Sequence, residues 1–158
     1  VAETTRAAFD CEARLAVEPG RYVVADAGVL LTRVTATTPT AETTVVGADA
    51  GMTDLLRPAL YDAYHHILNL APDAAERDPT TCLVAGPVCE TADVLGEDRT
   101  LPAPDVGDPL AVGNAGAYGY EMASQYNSRP RPAVVTLDGE TVVRRETLPD
   151  LTRLEPDS

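Results

Sequence analysis

Apolar and polar positions alternate along much of this chain in the short runs that are typical of half-buried β-strands. The strand candidates, rich in Val, Leu and Thr, lie at residues 29–35, 43–47, 66–70, 81–85 and 108–112. A hairpin is predicted within 133–144, where two valine-rich runs flank Asp138-Gly139, a pair that suits a tight turn. Loops with proline or polar residues are predicted at 36–42 and 71–79. The pattern predicts a mainly β domain, an antiparallel barrel or sandwich of Greek-key type with about seven short strands.

The two ends of the chain differ from this pattern. Residues 4–13 show the helical spacing of apolar positions, and 15–17 predict a short buried strand that stops at Glu-Pro-Gly-Arg, residues 18–21. The proline favours an extended backbone at the glutamate before it, and the glycine allows a ligand to approach the backbone closely. A strand followed by a glycine loop is a frequent anion-binding arrangement, although four residues alone are unspecific. Residues 147–154 predict a short helix or an irregular acidic tail.

Composition narrows the choice of function. The chain has 158 residues, enough for one domain, and no apolar run long enough to span a membrane. It contains 25 Asp and Glu but only 12 basic residues, all of them arginine, which gives a net charge of −13. This negative charge disfavours nucleic acid as a partner. The acidity fits either an ordinary solvated surface or adaptation to molar salt, where screening relieves repulsion among acids. The absence of lysine favours the second interpretation, and therefore a halophilic source.

The cysteines bear on location and on metal binding. Cys11, Cys82 and Cys89 show neither the spacing of a metal site nor that of a disulfide framework. We therefore expect no metal and a reducing, cytoplasmic location. Cys11, in a helical stretch, and Cys82, in Thr-Cys-Leu-Val at 81–84, are expected to be small core residues. The rings of the adjacent His65 and His66 point to opposite faces in extended backbone, which disfavours a shared metal ion.

Cys89 has different surroundings from the other two cysteines. It precedes Glu90 within Gly-Pro-Val-Cys-Glu-Thr-Ala-Asp, residues 86–93, so a proton-donating thiol follows a bent, restricted backbone and adjoins a fixed negative charge. Buried inert thiols prefer apolar neighbours instead. Cys89 is therefore the candidate catalytic residue.

Four loops at predicted strand ends carry a family resemblance. They are EPGR at 18–21, RPALY at 57–61, GPVCETAD at 86–93 and AGAYGYEMASQYNSRPRP at 115–132. In this order they resemble the carboxy-terminal part of the diaminopimelate decarboxylases, which are fold-type III pyridoxal-phosphate enzymes. The resemblance implies that residues 1–21 are a remnant of the last β/α unit of a (β/α)8 barrel and that residues 22–158 are the carboxy-terminal β domain. The lysine that binds pyridoxal 5′-phosphate is then expected outside this sequence, which contains no lysine.

The resemblance also implies roles for individual residues. The positions that match cofactor-binding residues are Glu18, which would face the pyridine nitrogen, and Pro19, Gly20, Arg21 and Tyr118, on the phosphate side. The positions that match substrate-binding residues are Arg21, Arg57, Tyr61, Glu90 and Tyr118. Cys89 matches the general acid that protonates the substrate Cα after CO2 has left.

The implied reaction converts meso-diaminopimelate into L-lysine and CO2. This substrate carries a second amino-acid head, so its site needs cations for the carboxylate and an anion for the distal ammonium. Arg21 and Arg57 would supply the cations and Glu90 the anion. Related ornithine decarboxylases have an aspartate after the cysteine, so Glu90 favours diaminopimelate. The resemblance further implies a homodimer with shared active sites, in which Cys89 and Glu90 serve the partner's site.

Two alternatives stay open. The enzyme could be a related decarboxylase of ornithine, arginine or carboxynorspermidine. The chain could instead be a non-catalytic dimerisation fragment, because it has no lysine to hold the cofactor. By itself, the chain is expected to be inactive.

Overall fold

A six-stranded mixed sheet, curled into a nearly closed barrel, forms most of the domain. The computed structural model describes residues 2–8 and 16–156. The strands of this sheet are β1 Leu30–Pro39, β2 Thr44–Ala48, β3 Ile67–Asn69, β4 Pro79–Ala85, β5 Val94–Pro102 and β6 Pro109–Val112. Their hydrogen-bonded order is β3-β6-β1-β2-β4-β5. The two end strands approach each other, since Asn69 Nδ2 in β3 donates to Pro102 O in β5 over 3.2 Å.

The remaining elements are short. A hairpin pairs β7 Val134–Val135 with β8 Thr141–Val143, and the helices are α1 Ala2–Ala8, α2 Arg57–Tyr61 and α3 Leu148–Thr152. Single 3₁₀ turns lie at Arg21–Val23, Ala25–Ala27, Ala74–Glu76, Tyr120–Met122 and Tyr126–Ser128. Helix α3 begins with a capping box, in which Thr147 and Asp150 satisfy each other's backbone N–H groups. No helix of the described residues is long and apolar enough to cross a membrane.

The core lies inside the barrel and consists mainly of aliphatic side chains. The largest apolar side chains that are fully buried belong to Leu55, Leu95, Leu110, Val34, Val46, Val84 and Val112. Each such residue contributes about 1.5–3 kcal/mol of transfer free energy on burial. The sequence has one Phe and no Trp, so branched aliphatic residues fill the space that aromatic rings would otherwise occupy.

The predicted mainly β fold is confirmed, and most strands lie where the pattern placed them. Strands β2, β3, β4 and β6 fall on predicted runs, and Asp138-Gly139 lies in the hairpin loop, with Gly139 at φ +91°. Strand β1 continues to Pro39, so the loop predicted from residue 36 begins later than expected. The sheet is also not purely antiparallel, because β2 and β4 pair in parallel, Val45 opposite Leu83.

Strand β5 was not predicted. Its middle, Gly96-Glu97-Asp98-Arg99, lacks the alternation of a half-buried strand because a β-bulge lies there. Cys82 of β4 pairs with Arg99, whereas Val84 pairs with Gly96, so β5 carries one extra residue in this interval. Asp98 adopts left-handed backbone, φ +52°, which shifts the inward and outward positions on either side of it.

The amino-terminal prediction is only partly represented in the structure. Helix α1 covers the first part of the predicted helix, while Cys11 and Leu15 lie outside the described residues. Ala16 and Val17 belong to no strand, so the strand predicted at 15–17 is wrong for these two residues. They pair with no strand among the described residues, and a strand forms only when its backbone groups find such a partner. The division into residues 1–21 and 22–158 stays a prediction.

Candidate active site

The predicted site residues fall into two groups on the loops of the barrel. The first, here called the cation cluster, consists of the predicted Arg21 and Arg57 together with Arg99 and the buried His65, neither of which was predicted. The second, here called the thiol turn, is residues 86–93, which carry Cys89 and Glu90. The structure shows how each group is held.

Arg21 lies at the start of a 3₁₀ turn and is anchored by a distant loop. Its Nη1 donates to Ala117 O over 2.7 Å and its Nη2 donates to Asn114 O over 2.6 Å. Burial, and after it the nearby cation of Arg57, lower the pKa of Arg21 below its usual range. The guanidinium is thus fixed in direction while its other N–H groups stay available to a ligand.

Arg57 and Tyr61 occupy the two ends of helix α2. The spacing of four residues puts them on one face of the helix, and the Arg57 guanidinium lies 5.4 Å from the centroid of the Tyr61 ring. Arg57 Nε is buried and has no hydrogen-bond partner. A buried guanidinium donor without an acceptor costs free energy, so this N–H favours an incoming oxygen ligand.

Gly20 and Tyr118 contact each other beside the cation cluster. Tyr118 has left-handed backbone, φ +57°, and its side chain is half-exposed. A Cβ placed on Gly20 would lie 2.6 Å from Tyr118 Oη, so glycine lets the hydroxyl approach the backbone without a shift of the tyrosine. The Tyr118 hydroxyl and the backbone of Gly20 therefore lie next to each other, where both are open to a ligand. Glu18 and Pro19, which precede Gly20, are exposed and lie in irregular backbone.

His65 lies among the cations, a placement that the sequence did not reveal. Its side chain is fully buried, whereas that of His66 is exposed, as expected for neighbours in extended backbone. His65 Nδ1 donates to Gly113 O over 2.8 Å, since a carbonyl oxygen can only accept. Burial lowers the pKa of His65, and the Arg21, Arg57 and Arg99 cations lower it further despite the opposing effect of the Gly113 bond. The ring is therefore held neutral, with a buried Nε2 that lacks a partner.

The thiol turn presents Cys89 and Glu90 to solvent on a fixed backbone. Glu90 N donates to Val88 O over 2.8 Å, and Gly86 N donates to Asp93 O over 2.8 Å. Both Cys89 and Glu90 are exposed. Glu90 accepts bonds from Thr91 N at 3.1 Å and from Tyr126 Oη at 3.4 Å. The turn thus combines an accessible thiol with a carboxylate braced from a neighbouring loop.

The structure shows no direct contact between the predicted residues of the two groups. Among residues 2–8 and 16–156, no hydrogen bond, ion pair or ring contact links the thiol turn to Gly20, Arg21, Arg57, Tyr61 or Tyr118. Sequence reasoning named these residues but assigned nothing to His65, Asp93 or Tyr126. The sequence signal for Asp93 was its place at the end of the motif at 86–93. The signal for His65 was its place shortly after the motif at 57–61.

A barrel-like sheet whose loops present arginines, tyrosines and a thiol is the kind of sheet domain that pyridoxal-dependent decarboxylases carry at their carboxyl end. The chain belongs to this family, since residues 21–116 match the family's C-terminal sheet domain. It is similar to the diaminopimelate decarboxylase of Neisseria meningitidis serogroup A, 51% identical over 138 residues, covering 85% of this chain and 33% of the relative. That of Methanothermobacter thermautotrophicus is 51% identical over 142 residues, covering 88% and 33%.

A solved structure shares the fold at similar coverage. The Helicobacter pylori diaminopimelate decarboxylase complexed with L-lysine aligns with a TM-score of 0.79 and 44% identity, covering 87% of this chain and 34% of that one. The chain therefore spans about a third of the length of the relatives that it matches.

Proposed function

We propose that this chain is the carboxy-terminal sheet domain of a meso-diaminopimelate decarboxylase, which forms L-lysine and CO2. The observation that carries the proposal is a pair of arginines with donors left for a ligand: Arg21, which is anchored to Ala117 O, and Arg57, which lies against the ring of Tyr61. They belong to a domain about half identical to those of diaminopimelate decarboxylases. The relative complexed with L-lysine supports lysine as the product.

The residues present suit pyridoxal 5′-phosphate. The Gly20 backbone and the Tyr118 hydroxyl lie side by side, so both could donate hydrogen bonds to a phosphate bound next to them and to Arg21. Glu18 is exposed at the entrance to this loop and would face the pyridine nitrogen. When bound, the cofactor supplies the electron sink that permits loss of CO2. The lysine that binds it must come from the rest of the protein, because these 158 residues contain none.

Substrate recognition is assigned to the cation cluster and to Glu90. Arg21 and Arg57 bind a carboxylate of the substrate, because a planar guanidinium matches the two oxygens of a carboxylate. Tyr61, at the end of α2, donates a further hydrogen bond, and Tyr118 borders the same space. Glu90 binds the distal ammonium, and Tyr126 holds its carboxylate in place.

Cys89 is the proposed general acid. After CO2 has left, the substrate Cα must take up a proton on one face, and an exposed thiol on a fixed turn can deliver it. We also propose a homodimer in which each domain serves two sites, as the resemblance to the family implies. We further propose a cytoplasmic enzyme that is adapted to high salt, on the strength of its composition.

The test replaces Arg57 with lysine in the complete enzyme and measures steady-state kinetics with meso-diaminopimelate, ornithine, arginine and carboxynorspermidine. Lysine keeps the charge but loses the planar fork, so KM for meso-diaminopimelate should rise about tenfold to hundredfold, the equivalent of a charged hydrogen bond. The matched control is Arg33→Lys, an exposed arginine that donates to Gly107 O, which should leave KM unchanged.

Two outcomes would change the assignment. A wild-type preference for ornithine, arginine or carboxynorspermidine would favour the related decarboxylases. Failure of the complete enzyme to act on any of the four substrates would favour a non-catalytic dimerisation fragment.

A further inference from the structure

Asp93, the last residue of the thiol turn, has a buried carboxyl group that joins two loops. Its side chain is only 3% exposed. Oδ2 accepts a hydrogen bond from Val88 N, within the turn, over 2.6 Å. Oδ1 accepts another from Met52 N, in the loop that leads to helix α2, over 2.6 Å. One side chain thus satisfies backbone donors on two segments that lie far apart in sequence.

The surrounding backbone is shaped to receive this carboxyl group. A Cβ on either Gly51 or Gly86 would overlap the carboxyl oxygens of Asp93. The Cβ on Gly51 would also lie 2.8 Å from Gly86 Cα, so the two loops are in close backbone contact. Glycine at both positions leaves the space that the carboxyl group occupies.

The hydrogen bonds of Asp93 hold the backbone on both sides of Cys89. Val88, whose N–H is held by Oδ2, immediately precedes the cysteine, and Glu90, which follows it, donates its own N–H to Val88 O over 2.8 Å. Asp93 N returns to Glu90 O over 3.0 Å and closes the turn. The exposed thiol makes no hydrogen bond of its own among the described residues. Its position therefore depends on the backbone on either side of it.

We infer that Asp93 is a positioning residue, which fixes Cys89 where its thiol can protonate the substrate Cα. The inference rests on the proposed function, since it requires Cys89 to be the proton donor. A general acid must come within hydrogen-bond distance of the atom that it protonates, and a displacement of about 1 Å can cost about a hundredfold in rate. Asp93 acts on the reaction only through the turn.

The test is a double-mutant cycle in the complete enzyme, with Asp93→Asn, Cys89→Ala and the two combined. Asparagine keeps the size of the side chain but offers one acceptor oxygen for two backbone donors. In the presence of Cys89, Asp93→Asn should lower kcat about tenfold to hundredfold and leave the cofactor absorbance unchanged, while any rise in KM would report displacement of Glu90 in the same turn. In the Cys89→Ala background it should lower kcat no further, because the group that it positions is gone.

Asp108→Asn is the matched control. Asp108 is another buried carboxyl group, which accepts from Asn69 Nδ2, Arg77 and Asp105 N on the loop before β6. Its loss should reduce stability, and any effect on kcat should be the same with and without Cys89. This separates positioning of the thiol from the general cost of breaking a buried network.

Each of the other possible outcomes would contradict a different claim. Additive losses in the double variant, or unchanged kcat in Asp93→Asn, would overturn the positioning role while the proposed function stands. Unchanged kcat in Cys89→Ala alone would remove Cys89 from the mechanism and with it the proposed role of the turn. If Asp93→Asn and Asp93→Glu both abolish cofactor binding or dimerisation, Asp93 is required for folding and the inference is overturned.

Discussion

At the scale of single residues, the candidate site depends on polar atoms that the fold leaves unsatisfied. Arg57 Nε and His65 Nε2 are both buried without a partner, within a cluster that also contains Arg21 and Arg99. Such groups are costly in a folded protein, and they are found where a ligand or a function compensates for them. A neutral His65 separates the cations without adding a further positive charge. Its protonation would therefore disturb the cluster.

This arrangement predicts a pH dependence for His65. Its folded-state pKa lies below the ordinary 6.5, so the unfolded chain takes up a proton first as the pH falls. The stabilisation by the neutral ring is complete above pH 6.5 and declines below it. Hydrogen exchange at the β6 amides of the complete protein should show protection that falls as the pH drops below about 6.5.

His65→Asn should remove this dependence, because asparagine does not titrate there and its amide can still donate to Gly113 O. His66→Asn, at the exposed neighbour, is the control and should retain it. Equal pH profiles for wild type and His65→Asn would show that His65 does not titrate in the manner described.

At the scale of elements, the hairpin β7–β8 and helix α3 are held by ion pairs rather than by apolar burial. Arg131 Nη2 pairs with Glu146 Oε1 at 2.6 Å, and Arg144 Nη2 pairs with Asp150 Oδ1 at 2.7 Å. Glu146 also accepts from Gln125 Nε2 and from Arg131 N. The carboxyl-terminal segment is thus attached through charged groups near the surface, which acid can titrate.

We predict that this segment detaches at low pH. The Arg131 side chain, with Gln125 and the Arg131 backbone N–H, lowers the pKa of Glu146 from 4.5 to about 2. Because this pKa is depressed, the stabilisation is present above pH 4.5 and is lost as the pH falls through about 2. Glu146→Gln should lower amide protection in α3 at neutral pH, and its difference from wild type should shrink toward pH 2.

The matched variant is Glu140→Gln, an exposed carboxylate in the same hairpin whose side chain makes no described hydrogen bond. It should behave like wild type at every pH. A gap between wild type and Glu146→Gln that stays constant with pH would contradict the ion-pair account.

How far the sequence predicts each element depends on where its interactions are made. The β2, β4 and β6 strands were predictable because alternation and branched side chains are local signals. Strand β5 was not, since the bulge at Asp98 is set by its pairing with β4. In the site, Arg57 and Cys89 could be named from their motifs, whereas Asp93 acts on Met52, which lies 41 residues earlier. No local pattern reveals such a contact.

At the scale of the whole molecule, repulsion among acids is the dominant electrostatic feature. Net charge is −13, and all 12 basic residues are arginines, several of them committed to ion pairs with Asp or Glu. The number of exposed carboxylates is therefore larger than the number of cations that could pair with them. Screening by salt should relieve the repulsion, which acts over about 10 Å at 0.1 M ionic strength.

We therefore predict that the melting temperature of the complete enzyme rises from about 0.1 M to about 3 M KCl. The part of the rise that screening explains should be largely complete below about 1 M, and a further rise above that concentration would indicate adaptation to salt beyond screening. Sucrose is the control, because it stabilises proteins by exclusion without screening charge. A melting temperature that is flat or falls in KCl would leave the acidity as an ordinary solvated surface.

The contact between Gly20 and Tyr118 has a consequence for how the sequence can vary. The clash of a Cβ at residue 20 is with the hydroxyl oxygen at 2.6 Å, while the ring carbon Cζ lies at 3.8 Å, an ordinary distance. Alanine at residue 20 would therefore require the half-exposed Tyr118 side chain to move its hydroxyl oxygen, whereas the ring could stay in place. The two positions should covary among homologues, with alanine at the first tolerated where phenylalanine stands at the second. A lineage that loses the hydroxyl loses the steric reason for its glycine as well.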